Sequence, residues 1–198
     1  MLDIGVAERP KAGATVSGDS YLVKSNGSTE LVAVIDGLGG GTAAAEAAKK
    51  AYDAIEANAD RPLSTIMQAA HQACQGTRGA VVGLLRLDHQ KREATYVGVG
   101  NIGIYVVSKH VIKPLSRNGI VGYRMPSLME QKATYDAGDT FILFSDGISM
   151  RFTEAPLMHE GLAPQPLADR ILEAFGKTID DVTIVVAKTP QTAPQTTP

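Results

Sequence analysis

The stretch ELVAVIDGLGGGTAAAEAAKKAY, from Glu30 to Tyr52, runs an apolar segment into an acid, then a glycine cluster, then an alanine-rich segment. Leu31 to Ile35 read as a strand-like apolar run, and Ala44, Ala47, Ala48, Ala51, Tyr52 and Ile55 recur at helical spacing. The order is strand, turn, helix. Such a turn can cradle a phosphate on its glycines. It can equally present Asp36 to a metal ion, with the glycines only clearing space.

The nucleotide-binding fingerprint requires G-x-G-x-x-G, and an acid about 20 residues on at the end of a second strand. Gly37, Gly39 and Gly41 give G-x-G-x-G, with Thr42 where the third glycine belongs. Glu56 has about the right distance but lies within the helix, and no lysine takes the P-loop position. A glycine-bearing turn of purely structural origin therefore outranks a dinucleotide site.

Outward from this stretch, SYLVKS precedes it across NGST, and Asn26-Gly27 is a strong hairpin signal because both residues tolerate positive φ. A second helix is expected from Pro62, with Leu63, Ile66, Met67, Ala70 and Cys74 on one face. AVVGLLRLD, ATYVGVG and NIGIYVVS read as a strand meander, and two more strands flank Ala137-Gly138. A last helix is expected at roughly 165–176, and DDVTIVVAK closes the domain as a strand. Strands and helices do not alternate throughout, which excludes a doubly wound parallel sheet and gives an α+β fold with mostly antiparallel sheet. One domain is expected over residues 1–188. The Pro/Thr/Gln-rich segment 189–198 has no buryable face and is expected to be disordered.

The chain has 198 residues, 44% hydrophobic and 20% charged, with a net charge of −2. That balance lacks the basic footprint of a nucleic-acid binder. No apolar run approaches the ~20 residues of a membrane span, and MLDIGVAERPK lacks a signal-peptide core. The single cysteine, Cys74, cannot form an internal disulfide and is expected to be a small core hydrophobe. A cytoplasmic protein that binds neither nucleic acid nor membrane is expected.

Asp36 in VIDG has a twin at Asp146 in ILFSDG, where another apolar run ends in Asp-Gly. Asp180-Asp181 begins the closing strand and Asp19, in SGDSY, begins the first hairpin. Any one Asp-Gly is most simply a turn. Four acidic points at strand ends are a different matter, since strand-end carboxylates can converge on one edge of a sheet sandwich, whereas helix-surface acids scatter. Gathered together they repel one another unless cations neutralise them. Hard oxygen ligands with no cysteine or histidine beside them select Mg²⁺ or Mn²⁺ over Zn²⁺.

At these residues the sequence resembles the PPM family of metal-dependent serine/threonine protein phosphatases, in its sporulation-and-stress, SpoIIE-like branch. SGDSYLV, VAVIDGLGGG, GTRGAVVGLLRLD, YVGVGNIGIYV, IVGYR, FSDGI and DDVTIVV carry the likeness, in order, over nearly the whole chain up to the tail. The resemblance implies a four-layer αββα sandwich. It also implies two Mn²⁺ or Mg²⁺ ions at one end, with Asp36 bridging them and the Gly37 carbonyl as a further ligand. Asp146 and Asp180 would complete one ion's shell, and Asp19 would hold the site directly or through water. Asp181, often Asn in relatives, would act behind these ligands.

Two such cations about 4 Å apart acidify a shared water and aim it at phosphorus, with no protein nucleophile needed. The expected substrate is a phosphoserine or phosphothreonine of a stressosome protein with the STAS fold. An anti-anti-sigma factor is the alternative substrate, and a non-catalytic phosphoprotein scaffold the alternative function. Asn101 and the loop RNGIVGYR are candidates for substrate contact. Leu38 and Gly40 stand where relatives often place a histidine, and His71, His89, His110 and His159 fit no family motif. Arg9 and Lys11, the nearest candidates for a phosphate-binding cation near the N-terminus, are expected to be solvated.

Overall fold

The computed structural model describes residues 1–191. Two antiparallel sheets stack face to face. One contains β2 (Asp19–Asn26), β3 (Thr29–Gly37), β4 (Ala80–Asp88), β5 (Glu93–Val99) and β7 (Gln131–Thr134), in the order β2-β3-β4-β5-β7. The other runs β1-β9-β8-β6, from β1 (Asp3–Arg9), β9 (Val182–Lys188), β8 (Thr140–Phe144) and β6 (Gly103–Val107). Helices α1 (Thr42–Ala57) and α2 (Leu63–Ala73) cover the first sheet, and α3 (Pro164–Phe175) covers β1 and β9 of the second. The layers are α, β, β, α, as expected.

Period-two alternation in β3 explains the layering. Leu31, Ala33 and Ile35 pack under α1 and α2, whereas Val32 and Val34 turn into the space between the sheets. There they meet Leu85, Tyr96, Phe141 and Leu143. All five β3 residues are at most 2% exposed, which is why the strand reads as an unbroken apolar run. The alanines of α1 let the helix lie close on β2 and β3, with Ala44, Ala47, Ala48 and Ala51 buried. A third core, around Phe152, Leu167 and Ile171, fills the gap beneath α3.

Three features go beyond the sequence reading. The meander does not stay in one sheet: the chain crosses from the first sheet to the second between β5 and β6, at Gly100, and again between β7 and β8, at Gly138. β1 is a strand that the periodicity of the N-terminal residues does not announce. Just past β9, Thr189 is 2% exposed and its hydroxyl donates to the carbonyls of Asp136 and Asp139. The remainder of the expected disordered tail, residues 192–198, lies outside the described residues. Cys74 is buried as expected, and burial pushes its thiol up to about 11.

Candidate metal centre

In an antiparallel pair, the end of one strand and the start of its neighbour share a sheet edge. Asp19 begins β2 and is the register partner of Asp36 near the end of β3. Asp146 follows β8, and Asp180 and Asp181 precede its partner β9. All five acids thus come to the same end of the sandwich, from both sheets.

Ser145 fastens the two sheets there. Its hydroxyl donates to Asp19 Oδ2 (2.6 Å) and accepts from the backbone N–H of Thr183 (3.0 Å), while its own N–H donates to the Thr183 carbonyl (2.9 Å). Thr183 Oγ1 is buried nearby without completing a hydrogen bond among the described residues, although its proximity offsets part of the electrostatic cost at Asp19.

Burial and mutual repulsion dominate the electrostatics. Burial, then the charges of Asp19, Asp146, Asp180 and Asp181, push the Asp36 carboxyl up to about 8. Asp19 is pushed up to about 7, mainly by burial and further by Asp181 and Asp180. Asp180 is raised too, by burial and by Asp146. Without counter-charge, the cluster therefore retains protons near neutral pH. Its donors are all oxygen, the set that suits a hard cation. Among the described residues, no three Asp, Glu, His or Cys side chains close into a ready-made cage.

Asp36-Gly37 ends β3, whereas Asp146-Gly147 is the centre of a turn closed by the Ile148 N–H on the Ser145 carbonyl (3.1 Å), and neither glycine has a positive φ. A Cβ on Gly37 would overlap the Ala44 carbonyl of α1, and one on Gly147 would overlap the Asp181 carbonyl. Each glycine lets another segment pass directly beside a site aspartate.

Asn101, expected at the substrate, directs its amide Nδ2 to Asp146 Oδ2 (2.7 Å). Asp181 sits behind the cluster, 5% exposed, and accepts from the backbone N–H groups of Lys11 (2.9 Å) and Gly18 (2.8 Å). It pins the loop between β1 and β2 against the site. The RNGIVGYR loop borders the same edge: Val121 bridges to Ala80, which pairs with Gly37, and Tyr123 is 81% exposed.

None of the four histidines enters the cluster. His71 accepts from the Gly122 N–H, His89 bonds Glu30 and Tyr135, His110 faces Asp136, and His159 is exposed. Leu38 packs toward the core between the sheets.

Arg9 is engaged by the backbone instead of standing free in solvent. Arg9 donates to the carbonyls of Gly176 and Lys177, just beyond α3. Lys11 is half-buried, with its ammonium over Gly40. Sequence reasoning missed two supports. Ser145 stood in the quoted ILFSDG motif beside the aspartate that drew attention. Lys177, whose ammonium donates to the Asp146 carbonyl (2.6 Å), had no local signal.

Comparison with known proteins agrees with this fold. The sequence model of the family described as Stage II sporulation protein E (SpoIIE) matches residues 26–190. Phosphoserine phosphatase RsbX of Bacillus subtilis (strain 168) is 27% identical over 180 residues, 90% of each chain. A chain from a structural study of the bacterial stressosome superposes with a TM-score of 0.88 at 36% identity, covering 94% of this chain and 99% of its own length. The crystal structure of RsbX in complex with magnesium superposes with a TM-score of 0.83 at 25% identity, over 95% and 99% of the two chains. The chain belongs to the Stage II sporulation protein E (SpoIIE) family and is a phosphatase of the protein serine/threonine class.

Proposed function

We propose that this phosphatase works with two hard divalent cations, Mn²⁺ or Mg²⁺, and removes phosphate from phosphoserine or phosphothreonine on a STAS-domain stressosome protein in the cytoplasm. The observation that carries the cation requirement is Asp36, half-buried and the register partner of Asp19, where burial and then four facing carboxylates push its carboxyl up to about 8. Asp36, the Gly37 carbonyl, Asp146, Asp180 and Asp19 would hold the ions. Backbone carbonyls and water would complete their coordination. When bound, the ions supply Lewis acidity toward the phosphoryl oxygens and an acidified water as nucleophile.

The chain's own residues do the positioning. Asn101 orients Asp146, Ser145 orients Asp19, and Asp181 fixes the β1–β2 loop. The RNGIVGYR loop, bridged to the start of β4 and carrying the exposed Tyr123, borders the entrance where a protein substrate would approach. With no histidine in the cluster, protonation of the leaving serine or threonine oxygen falls to solvent. The stress-signalling assignment is supported by the likeness to RsbX and to the stressosome chain.

The test is release of phosphate from a phosphorylated STAS-domain protein with Mn²⁺ or with EDTA, beside Asp36→Asn. Turnover should require the metal and vanish in the variant. Turnover that survives EDTA, or an unimpaired variant, would sink the two-ion chemistry. Retained binding of the phosphoprotein with no turnover would identify a scaffold instead.

A further inference from the structure

Three of the four sheet edges are guarded against pairing with another chain. On β1, Gln165 bonds both the N–H and the carbonyl of Val6. β2 carries Lys24, whose ammonium donates to the Glu56 carbonyl, and β7 is four residues long with Lys132 paired to Glu93. The fourth edge, β6, reads Gly-Ile-Tyr-Val-Val without a charge. Among the described residues it pairs with β8 alone. Its side chains are already placed, since Ile104 and Val106 pack between the sheets and Tyr105 stands edge-on to Phe152. What β6 leaves open is a row of backbone N–H and C=O groups.

A groove of about 450 Å³ lies between this strand and the segment 108–116 that follows it. Tyr105 and Val106 line one side, Val111, Pro114 and Leu115 the other, with Met150 beside them. Val111 is 84% exposed, Leu115 67% and Met150 55%. The outer wall is fixed in place. Gln131 bonds both the N–H (2.9 Å) and the carbonyl (2.7 Å) of Leu115, and the Ser116 hydroxyl donates to the Ile102 carbonyl (2.9 Å). Among the described residues, no backbone hydrogen bond joins 108–116 to β6. An apolar groove beside an unpaired strand is the geometry of strand addition, where main-chain bonds give affinity and alternate side chains fill the groove.

Charge selects the occupant. From Asn101 through Met129 the chain has four Lys or Arg and no Asp or Glu, in a protein of net charge −2. Lys109 and Lys113, both exposed, flank Val111 and take part in no ion pair among the described residues. Asp136, the acid that faces this wall, is engaged by His110 (3.1 Å). A second copy would bring its own basic segment against this one, so like charges oppose self-pairing, whereas a strand bearing acids is attracted. The groove also has a direction. Gly103 pairs with Phe144, two residues before Asp146, and Val107 pairs with Thr140, so β6 leads away from the metal centre over about 13 Å.

Resting on the phosphatase chemistry proposed above, we infer that the β6 groove docks an extended segment of the phosphoprotein substrate, apolar side chains alternating with Asp or Glu, as an added strand. Lys109 and Lys113 meet the acids of that segment, and Val111, Leu115 and Met150 cover its apolar side chains. The phosphorylated residue lies beyond the end of the segment that points at the centre.

The test compares a phosphorylated STAS-domain protein with p-nitrophenyl phosphate, which is too small to dock, both on the full chain with Mn²⁺. The paired substitutions Lys109→Glu with Lys113→Glu, and Val111→Ser with Leu115→Ser, all fall on exposed residues. Each pair should raise KM for the phosphoprotein about tenfold with kcat held, and leave p-nitrophenyl phosphate turnover within about twofold of wild type. In EDTA, adding the phosphoprotein should slow hydrogen exchange of the backbone amides in 103–107. An unchanged KM in both paired variants, or no slowing at β6, would overturn the docking groove. Slow exchange in the free protein that deepens with its own concentration would give the groove to a second copy and overturn it as well. Wild-type turnover of p-nitrophenyl phosphate and its metal requirement judge the phosphatase chemistry by themselves, so the two readings fail separately.

Discussion

Asp19 and Asp36 are direct register partners across the β2–β3 ladder, two half-buried carboxylates on adjacent strands that raise one another's protonation. Their folded-state pKa values, about 7 and about 8, lie above the 3.8 of a free aspartate. The fold therefore favours their protonated forms. Stability from this source is complete below about pH 4 and is lost as pH rises through about 7 to 8. Metal-free protein should show a falling melting temperature between about pH 5.5 and about pH 8.5, and Mn²⁺ should restore it. Calorimetry near pH 7 in buffers of different ionisation enthalpy should detect protons released on Mn²⁺ binding. A metal-free melting temperature that climbs over that range would contradict the electrostatic account.

Asp36→Asn separates stability from activity. The amide keeps the shape of the protonated acid and removes the charge that four neighbouring carboxylates oppose. The metal-free variant should melt a few degrees above wild type at about pH 8, while losing metal binding and turnover. Differential scanning calorimetry with and without Mn²⁺ checks both. A variant that melts lower without metal would show that Asp36 is held by favourable contacts rather than strained by repulsion.

Asn101→Ala removes the donor that orients Asp146 Oδ2. Groups that orient metal ligands are typically worth about 10–100-fold in metal affinity or activity. The contact is exposed, so the lower end of that range is expected in Mn²⁺ affinity. Asn101→Asp adds a further like charge and should lose more. If instead KM rose with Mn²⁺ affinity unchanged, Asn101 would be acting at the substrate.

The layer arrangement was legible because β3 and β9 are buried on both faces and α1 is marked by its alanines. The acidic set was legible because each aspartate closes or opens an apolar run. β1 was not, for a physical reason. Gly5 replaces the apolar residue expected at its buried position, because a Cβ there would overlap the backbone of Pro164 and Gln165 at the start of α3. Gln165 in turn bonds both the N–H and the carbonyl of Val6, covering an exposed sheet edge that local periodicity does not encode. The crossings at Gly100 and Gly138 read like hairpin turns, since sheet membership is decided by packing far along the chain. Lys11 carries no pattern because its relation to Gly40 exists only in three dimensions.

Gly37→Ala and Gly147→Ala test why both site aspartates are followed by glycine. Neither position needs a left-handed backbone, so conformational freedom is not what glycine supplies. If Asp-Gly were only a turn signature, alanine at either position would be tolerated, or would even stabilise the fold by restricting the unfolded chain. The structure gives the opposite sign. The new methyl at 37 meets the Ala44 carbonyl and the one at 147 meets the Asp181 carbonyl, both backbone atoms that cannot swing aside like a side-chain tip. Accommodating either means shifting α1 or the start of β9, at a cost of about 1–3 kcal/mol or more. Urea denaturation should show that loss in both variants, accompanied by weaker Mn²⁺ binding, because the displaced segments carry or border the carboxylates. As a control, Gly27→Ala lies in the β2–β3 hairpin with a positive φ and open space around it. It should cost stability through backbone strain while leaving Mn²⁺ affinity unchanged.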